Sequence, residues 1–147
     1  MFDLTGKNAI ITGSSKGIGK SIAMAMAKQG ANVVISSRKV DVCEATAEEI
    51  NNLEDEGVGK AIVIPCNISD KTALEMLVEE TRSQLGQIDI LVCNAATNPY
   101  FGSIKDITDE AFEKIMNNNI KSNHNLCQMV IPEMMERKDG SLSLIHI

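Results

Sequence analysis

Thr12-Gly13-Ser14-Ser15-Lys16-Gly17-Ile18-Gly19 joins an apolar run to a helical pattern with almost no side-chain bulk at the corner. Upstream, Asn8-Ala9-Ile10-Ile11-Thr12 is short and apolar, as expected of a parallel strand buried on both faces. Downstream, Ile18, Ile22, Ala23 and Met26 recur at helical spacing, and Gly30 stands where a helix cap is expected. Glycines at 13, 17 and 19 let an anion approach the first-turn N–H groups, where the helix dipole also favours negative charge. Strand, glycine corner and helix together predict a dinucleotide phosphate cradle, with Gly13, Ser14, Ser15, Lys16, Gly17, Ile18 and Gly19 as its residues. The spacing differs from Gly-x-Gly-x-x-Gly, and it is not a phosphate loop of the Gly-x4-Gly-Lys-Ser/Thr type, because Lys16 precedes its glycine. Taken alone, three glycines also fit a tight connection that binds nothing.

The rest of the chain alternates strand and helix in the same way. Asn32–Ser36, Ala61–Cys66 and Ile88–Cys93 read as strands. Helices are expected with Val42, Thr46, Ile50 and Leu53 on one apolar face, and with Leu74, Leu77, Val78 and Leu85 on another, the second capped by Ser69. Thr108-Asp109 opens a long helix whose single stripe runs through Phe112, Ile115, Met116, Ile120, Leu126, Val130 and Met134. Four such units predict an α/β fold, a doubly wound parallel sheet with right-handed crossovers and helices on both faces. Ligands bind such sheets outside the carboxyl ends of the strands, where the unusual loops 13–19, 37–39, 66–70 and 94–100 all fall.

Composition narrows the function classes. The 147 residues suit one domain and carry a formal net charge of −6, with no basic cluster and only three Phe, one Tyr and no Trp. Neither nucleic acid nor an anionic membrane is an expected partner. Cys43, Cys66, Cys93 and Cys127 are widely spaced and read as reduced thiols acting as small buried hydrophobes. His124 and His146 lack metal-ligand partners at useful spacing, so no metal site is expected. The opening Met1–Lys7 has no leader pattern and no apolar run reaches membrane-spanning length, so a cytoplasmic protein is expected.

Three motifs in order, Thr12-Gly13-x-x-x-Gly17-x-Gly19, Asn94-Ala95-Ala96 and Asn119-Ile120-Lys121, resemble the N-terminal signatures of the short-chain dehydrogenases/reductases. Within that family, Ser36-Ser37-Arg38-Lys39 and the stretch Asn94–Gly102 look most like the NADP-dependent carbonyl and retinal reductases. The resemblance implies a Rossmann-type fold, hydride transfer between nicotinamide and a small carbonyl or alcohol substrate, and a full-length homo-oligomer, tetramer or dimer, assembled partly through the long helix. It further implies adenine contacts from Asn67 and Ile68, where the family usually has Asp-Val, and cofactor contacts from Asn94, Ala95 and Ala96, where the family's last residue is usually Gly. Asn119 matches the catalytic asparagine whose backbone carbonyl holds a relay water; Asn117 and Asn118 precede it directly, and Ile120-Lys121 selects the register.

Charge alone speaks to the cofactor. An acid at the end of the second strand would bind a ribose 2′-OH and repel a 2′-phosphate, and here that end is Ser36-Ser37-Arg38. Ser37, Arg38 and Lys16 are therefore expected to hold NADP(H), the guanidinium offering paired donors to phosphate oxygens. Two ordinary surface cations are the plainer alternative. Tyr100 and Phe101 are candidates for the substrate pocket or for plain packing.

Family chemistry also needs a Ser and a Tyr-x-x-x-Lys that this sequence does not contain. Residues 1–141 are accordingly expected to be the dinucleotide-binding part of one domain, cut before or at the fifth strand, inactive alone and poorly stable, with an exposed apolar edge on the fourth strand. Leu142-Ser143-Leu144-Ile145-His146-Ile147 is what a transposon-end adapter used in DNA library preparation encodes, so 142–147 is expected to be an adapter-derived tail. A genuine strand is the alternative. A non-catalytic NADP(H)-binding module is the competing function.

Overall fold

The computed structural model describes residues 2–144. It is an α/β fold. A five-stranded parallel sheet comprises β1 (Asn8–Thr12), β2 (Asn32–Ser36), β3 (Ala61–Val63), β4 (Ile90–Cys93) and β5 (Ser141–Leu144), in the order β3-β2-β1-β4-β5. Helices α1 (Gly17–Lys28), α2 (Val40–Asn51), α3 (Lys71–Leu85), α4 (Asp109–Met116) and α5 (Ser122–Arg137) lie between them, with a π turn over Asn117–Lys121.

Strand alternation sorts the core into two layers. Ile10, Val34, Ile62 and Leu91 point to one face and meet Leu74, Leu77 and Val78 of α3 and Leu126, Val130 and Met134 of α5. Ala9, Ile11, Val33, Ile35 and Val92 point to the other face and meet Ala23 and Ala27 of α1 and Cys43, Ala47 and Ile50 of α2. Burial on both faces is why Ala9, Ile10 and Ile11 of β1 are apolar in succession.

The chain winds outward from β1 through β2 to β3, then returns to place β4 on the other side of β1. Ile11 consequently pairs with Ile35 of β2 on one flank and with Val92 of β4 on the other. The reversal of winding direction opens a crevice beyond the carboxyl ends of β1 and β4, where the Gly13 and Asn94 loops emerge. No helix among the described residues is long and apolar enough to cross a membrane.

Several expectations change. The edge of β4 is not bare, because Ser141–Leu144 pairs with it in register, Ile90 with Ser141 through Cys93 with Leu144. β5 is itself exposed along its length, Leu142 and Leu144 included. The same four residues include the first three of the expected tail; Ile145, His146 and Ile147 lie outside the described residues. The cap of α3 is Asp70 and not Ser69: its carboxylate accepts from Thr72 N (2.9 Å) and Ala73 N (3.4 Å), while Ser69 turns back to Asn67 Oδ1.

The long helix carries two stripes instead of one. Phe112, Met116 and Ile120 are exposed, whereas Leu126, Val130 and Met134 are buried. Each set is spaced by four, and the six-residue step from Ile120 to Leu126 crosses the end of the π turn, which rotates one set away from the other. In α1, Ile18 is exposed beside the crevice, and Ala23 and Ala27 provide the buried contacts.

Candidate functional site

The crevice contains a cavity of about 410 Å³. Gly13, Ser15, Lys16, Gly17, Ile18 and Gly19 form one wall, Ser37 and Arg38 a second, Cys66 and Ile68 a third, and Asn94, Ala95, Ala96 and Thr97 the fourth. Nearly all of the expected binding residues therefore meet in one place, although they come from four loops.

Two glycines explain how closely the walls approach. Gly13 has φ +68°, and a Cβ there would stand 3.0 Å from Ala95 Cα and 3.1 Å from Asn94 Nδ2. A Cβ at Gly19 would overlap the Gly13 carbonyl oxygen and the Asn94 amide. The first turn of α1 thus lies directly against the end of β1. Lys16, the residue before that turn, offers no side-chain hydrogen bond to the helix end. By contrast, α3 and α4 are capped by Asp70 and Thr108. An anion in the cavity would satisfy the first-turn N–H groups of α1.

Thr12 holds the opposite wall. Its Oγ1 accepts from Asn94 N (3.1 Å) and Ala95 N (3.0 Å), and the Asn94 amide donates back to the carbonyls of Thr12 (3.0 Å) and Gly13 (3.2 Å). Asn119 extends this connection: its Oδ1 accepts from Thr97 N (2.8 Å) and its Nδ2 donates to Thr97 O (2.9 Å). Of the consecutive asparagines, Asn119 is the one that clamps the Thr97 backbone, while Asn118 donates to Thr97 Oγ1 (2.9 Å) and Asn117 to Ser69 O (3.3 Å). The Asn119 carbonyl accepts from Asn123 Nδ2 (2.8 Å).

Some expected residues lie elsewhere. Ser14 is fully buried, its hydroxyl donating to Ile11 O (2.7 Å) and accepting from Ser36 N (2.9 Å), so it ties β1 to β2 behind the cavity wall. Asn67 is exposed, and its Oδ1 accepts from the Ser69 N–H and hydroxyl. Tyr100 donates to Ser103 O (3.0 Å), Phe101 is 99% exposed, and neither lines the cavity. Cys66 and Thr97 line it although neither belongs to the expected binding set; their positions just after β3 and β4 are the signal that points to them.

The electrostatics are local. Lys16 and Arg38 are exposed and have no acidic partner within 4 Å among the described residues, on a chain whose net charge is negative. Burial pushes the Cys66 thiol up to about 11, so it meets the cavity as a neutral group. All four cysteines are free.

Comparison with known proteins agrees with this geometry. Residues 7–145 match the short chain dehydrogenase family. The chain is 40% identical over 145 residues to human dehydrogenase/reductase SDR family member 4, covering 97% of this chain and 50% of that protein. It is 38% identical over 142 residues to the pig protein of the same name, again covering 97% of this chain and 50% of the relative. The chain thus spans about half the length of the curated relatives it matches. Among solved structures, a metagenomic short-chain oxidoreductase in complex with NADP superposes with a TM-score of 0.86 at 28% identity, covering 95% of this chain and 61% of that one. A 7α-hydroxysteroid dehydrogenase complexed with NADH and 7-oxo glycochenodeoxycholic acid gives 0.87 at 35% identity, covering 96% and 53%. With the glycine corner, the Asn94 loop and the Asn119 clamp in their places around one crevice, the chain belongs to the short-chain dehydrogenase/reductase family of nicotinamide-dependent oxidoreductases.

Proposed function

We propose that this chain is the cofactor-binding part of an NADP(H)-dependent oxidoreductase acting on a carbonyl or alcohol substrate. The observation that carries the reading is the β2 end of the cavity, where Ser37 and Arg38 stand in place of an acid and Lys16 lines the same space. A guanidinium there favours a 2′-phosphate, and a carboxylate would repel one. The pyrophosphate would rest on the first turn of α1, whose approach requires Gly13 and Gly19. When bound, the nicotinamide supplies or receives the hydride. Thr12 and Asn119 hold the facing loop in position, and the Asn119 carbonyl is the oxygen that would hold a relay water.

Proton transfer to the substrate has no lysine-paired phenol in this chain, because its only tyrosine, Tyr100, is followed at the fourth position by Ile104 and not by lysine. We therefore expect binding without turnover from the chain alone. That same observation favours a second reading, a non-catalytic NADP(H)-binding module. A reducing, cytoplasmic setting fits the four free thiols. The exposed stripe of Phe112, Met116 and Ile120 supports homo-oligomer formation through α4.

Calorimetric titration of the chain with NADPH and NADH tests the cofactor. Tighter binding of NADPH, reversed or abolished by Arg38→Asp, is the expected result; unchanged NADPH affinity in Arg38→Asp would refute the assignment. Consumption of NADPH by the chain alone with a carbonyl substrate would exclude the non-catalytic reading.

A further inference from the structure

A thiol lies directly beneath the cation-bearing loop. Cys43, in the first turn of α2, is fully buried, and its Sγ stands 3.1 Å from Ser37 Oγ. Its other oxygen neighbour, the Ser37 carbonyl, is 4.0 Å away. Ser37 lines the cavity beside Arg38. A serine hydroxyl has one proton to donate and two lone pairs to fill. Lys39 N–H fills one of them at 3.3 Å, and the sulfur faces the hydroxyl from below.

We propose that Cys43 is a positioning residue for the cofactor 2′-phosphate: its S–H donates to Ser37 Oγ and leaves the Ser37 hydroxyl proton free to turn to the phosphate. The inference rests on the NADP(H) reading. Sulfur suits this role because it can act in either direction. Without an anion, the hydroxyl can donate to Sγ or to Lys39 O, which lies 3.5 Å away. With an anion in place, the charge-assisted O–H···O⁻ bond is about twice as strong as a neutral one and takes the hydroxyl proton. The thiol then reverses and supplies the donor that the second lone pair needs. An aliphatic side chain would fill the same space and leave that lone pair unfilled.

The test compares NADPH and NADH dissociation constants for the full chain and for Cys43→Val, Cys43→Ala, Cys43→Ser, Ser37→Ala and Arg38→Ala, each with its thermal midpoint. Cys43→Val and Cys43→Ala are expected to weaken NADPH by about three- to tenfold and leave NADH unchanged, as loss of one hydrogen bond implies. Cys43→Ser keeps both donor and acceptor and is expected to retain the NADPH preference. Combining Ser37→Ala with Cys43→Val should cost no more than Ser37→Ala alone. An unaltered NADPH-to-NADH ratio in Cys43→Val, or equal losses for the two cofactors, overturns the proposal. If Arg38→Ala still removes the preference in that case, the cofactor reading stands by itself; a chain that does not prefer NADPH at all overturns both.

Discussion

At the scale of single residues, the site depends on where atoms are missing and where thiols stay neutral. Gly19→Ala is expected to destabilise the chain by about 1–3 kcal/mol, because the added methyl meets the Gly13 backbone and the Asn94 side-chain amide, which hydrogen bonds to the Thr12 and Gly13 carbonyls hold in place. It should weaken NADPH and NADH alike, since the pyrophosphate is common to both; chemical denaturation and calorimetry would read the two effects. Burial pushes the Cys93 thiol up to about 12 from 9.0. The folded value exceeds the unfolded one, so the neutral thiol's contribution is fully present below about pH 9 and is lost as pH rises toward 12. Thermal midpoints should therefore fall above pH 9, and fall less steeply in Cys93→Ala. A slope identical in the two proteins would contradict the assignment.

At the scale of elements, the informative feature is the π turn. It separates the exposed stripe on α4 from the buried stripe on α5 and presents three successive asparagine side chains to the loops after β3 and β4. Asn119→Ala removes both bonds to the Thr97 backbone and should raise the dissociation constant of either cofactor, with the larger change in proteolytic sensitivity at the 94–100 loop. Asp70→Ala should cost about 0.5–2 kcal/mol by uncapping α3, measurable by urea denaturation, whereas Ser69→Ala should cost less because Ser69 does not cap the helix.

At the scale of the whole molecule, the balance between enclosed and uncovered apolar surface sets behaviour in solution. Phe112, Met116 and Ile120 lie on one exposed face of the α4 region, and β5 leaves Leu142 and Leu144 in solvent. Self-association is the expected result, with sedimentation at increasing concentration showing species above the monomer. Phe112→Lys combined with Ile120→Lys should reduce it. Sedimentation unaffected by those changes would locate the contact elsewhere, the exposed β5 edge being the other apolar surface.

The sequence by itself determined the α/β class, the glycine corner and the identity of most cavity residues, because these follow from local rules: alternation of apolar runs, the steric needs of a tight turn and the charge at a strand end. The fold decided what depends on distance along the chain. Only the sheet order brings Arg38 and Lys16 to one cavity, only the π turn exposes Phe112 while burying Leu126, and only the packing of α2 puts the Cys43 thiol under Ser37. Ser14 is legible as part of the motif but not as a tie between β1 and β2, since its partners, Ile11 O and Ser36 N, are set by strand pairing. Periodicity records which face of an element is apolar; what that face meets is fixed by the elements that pack against it.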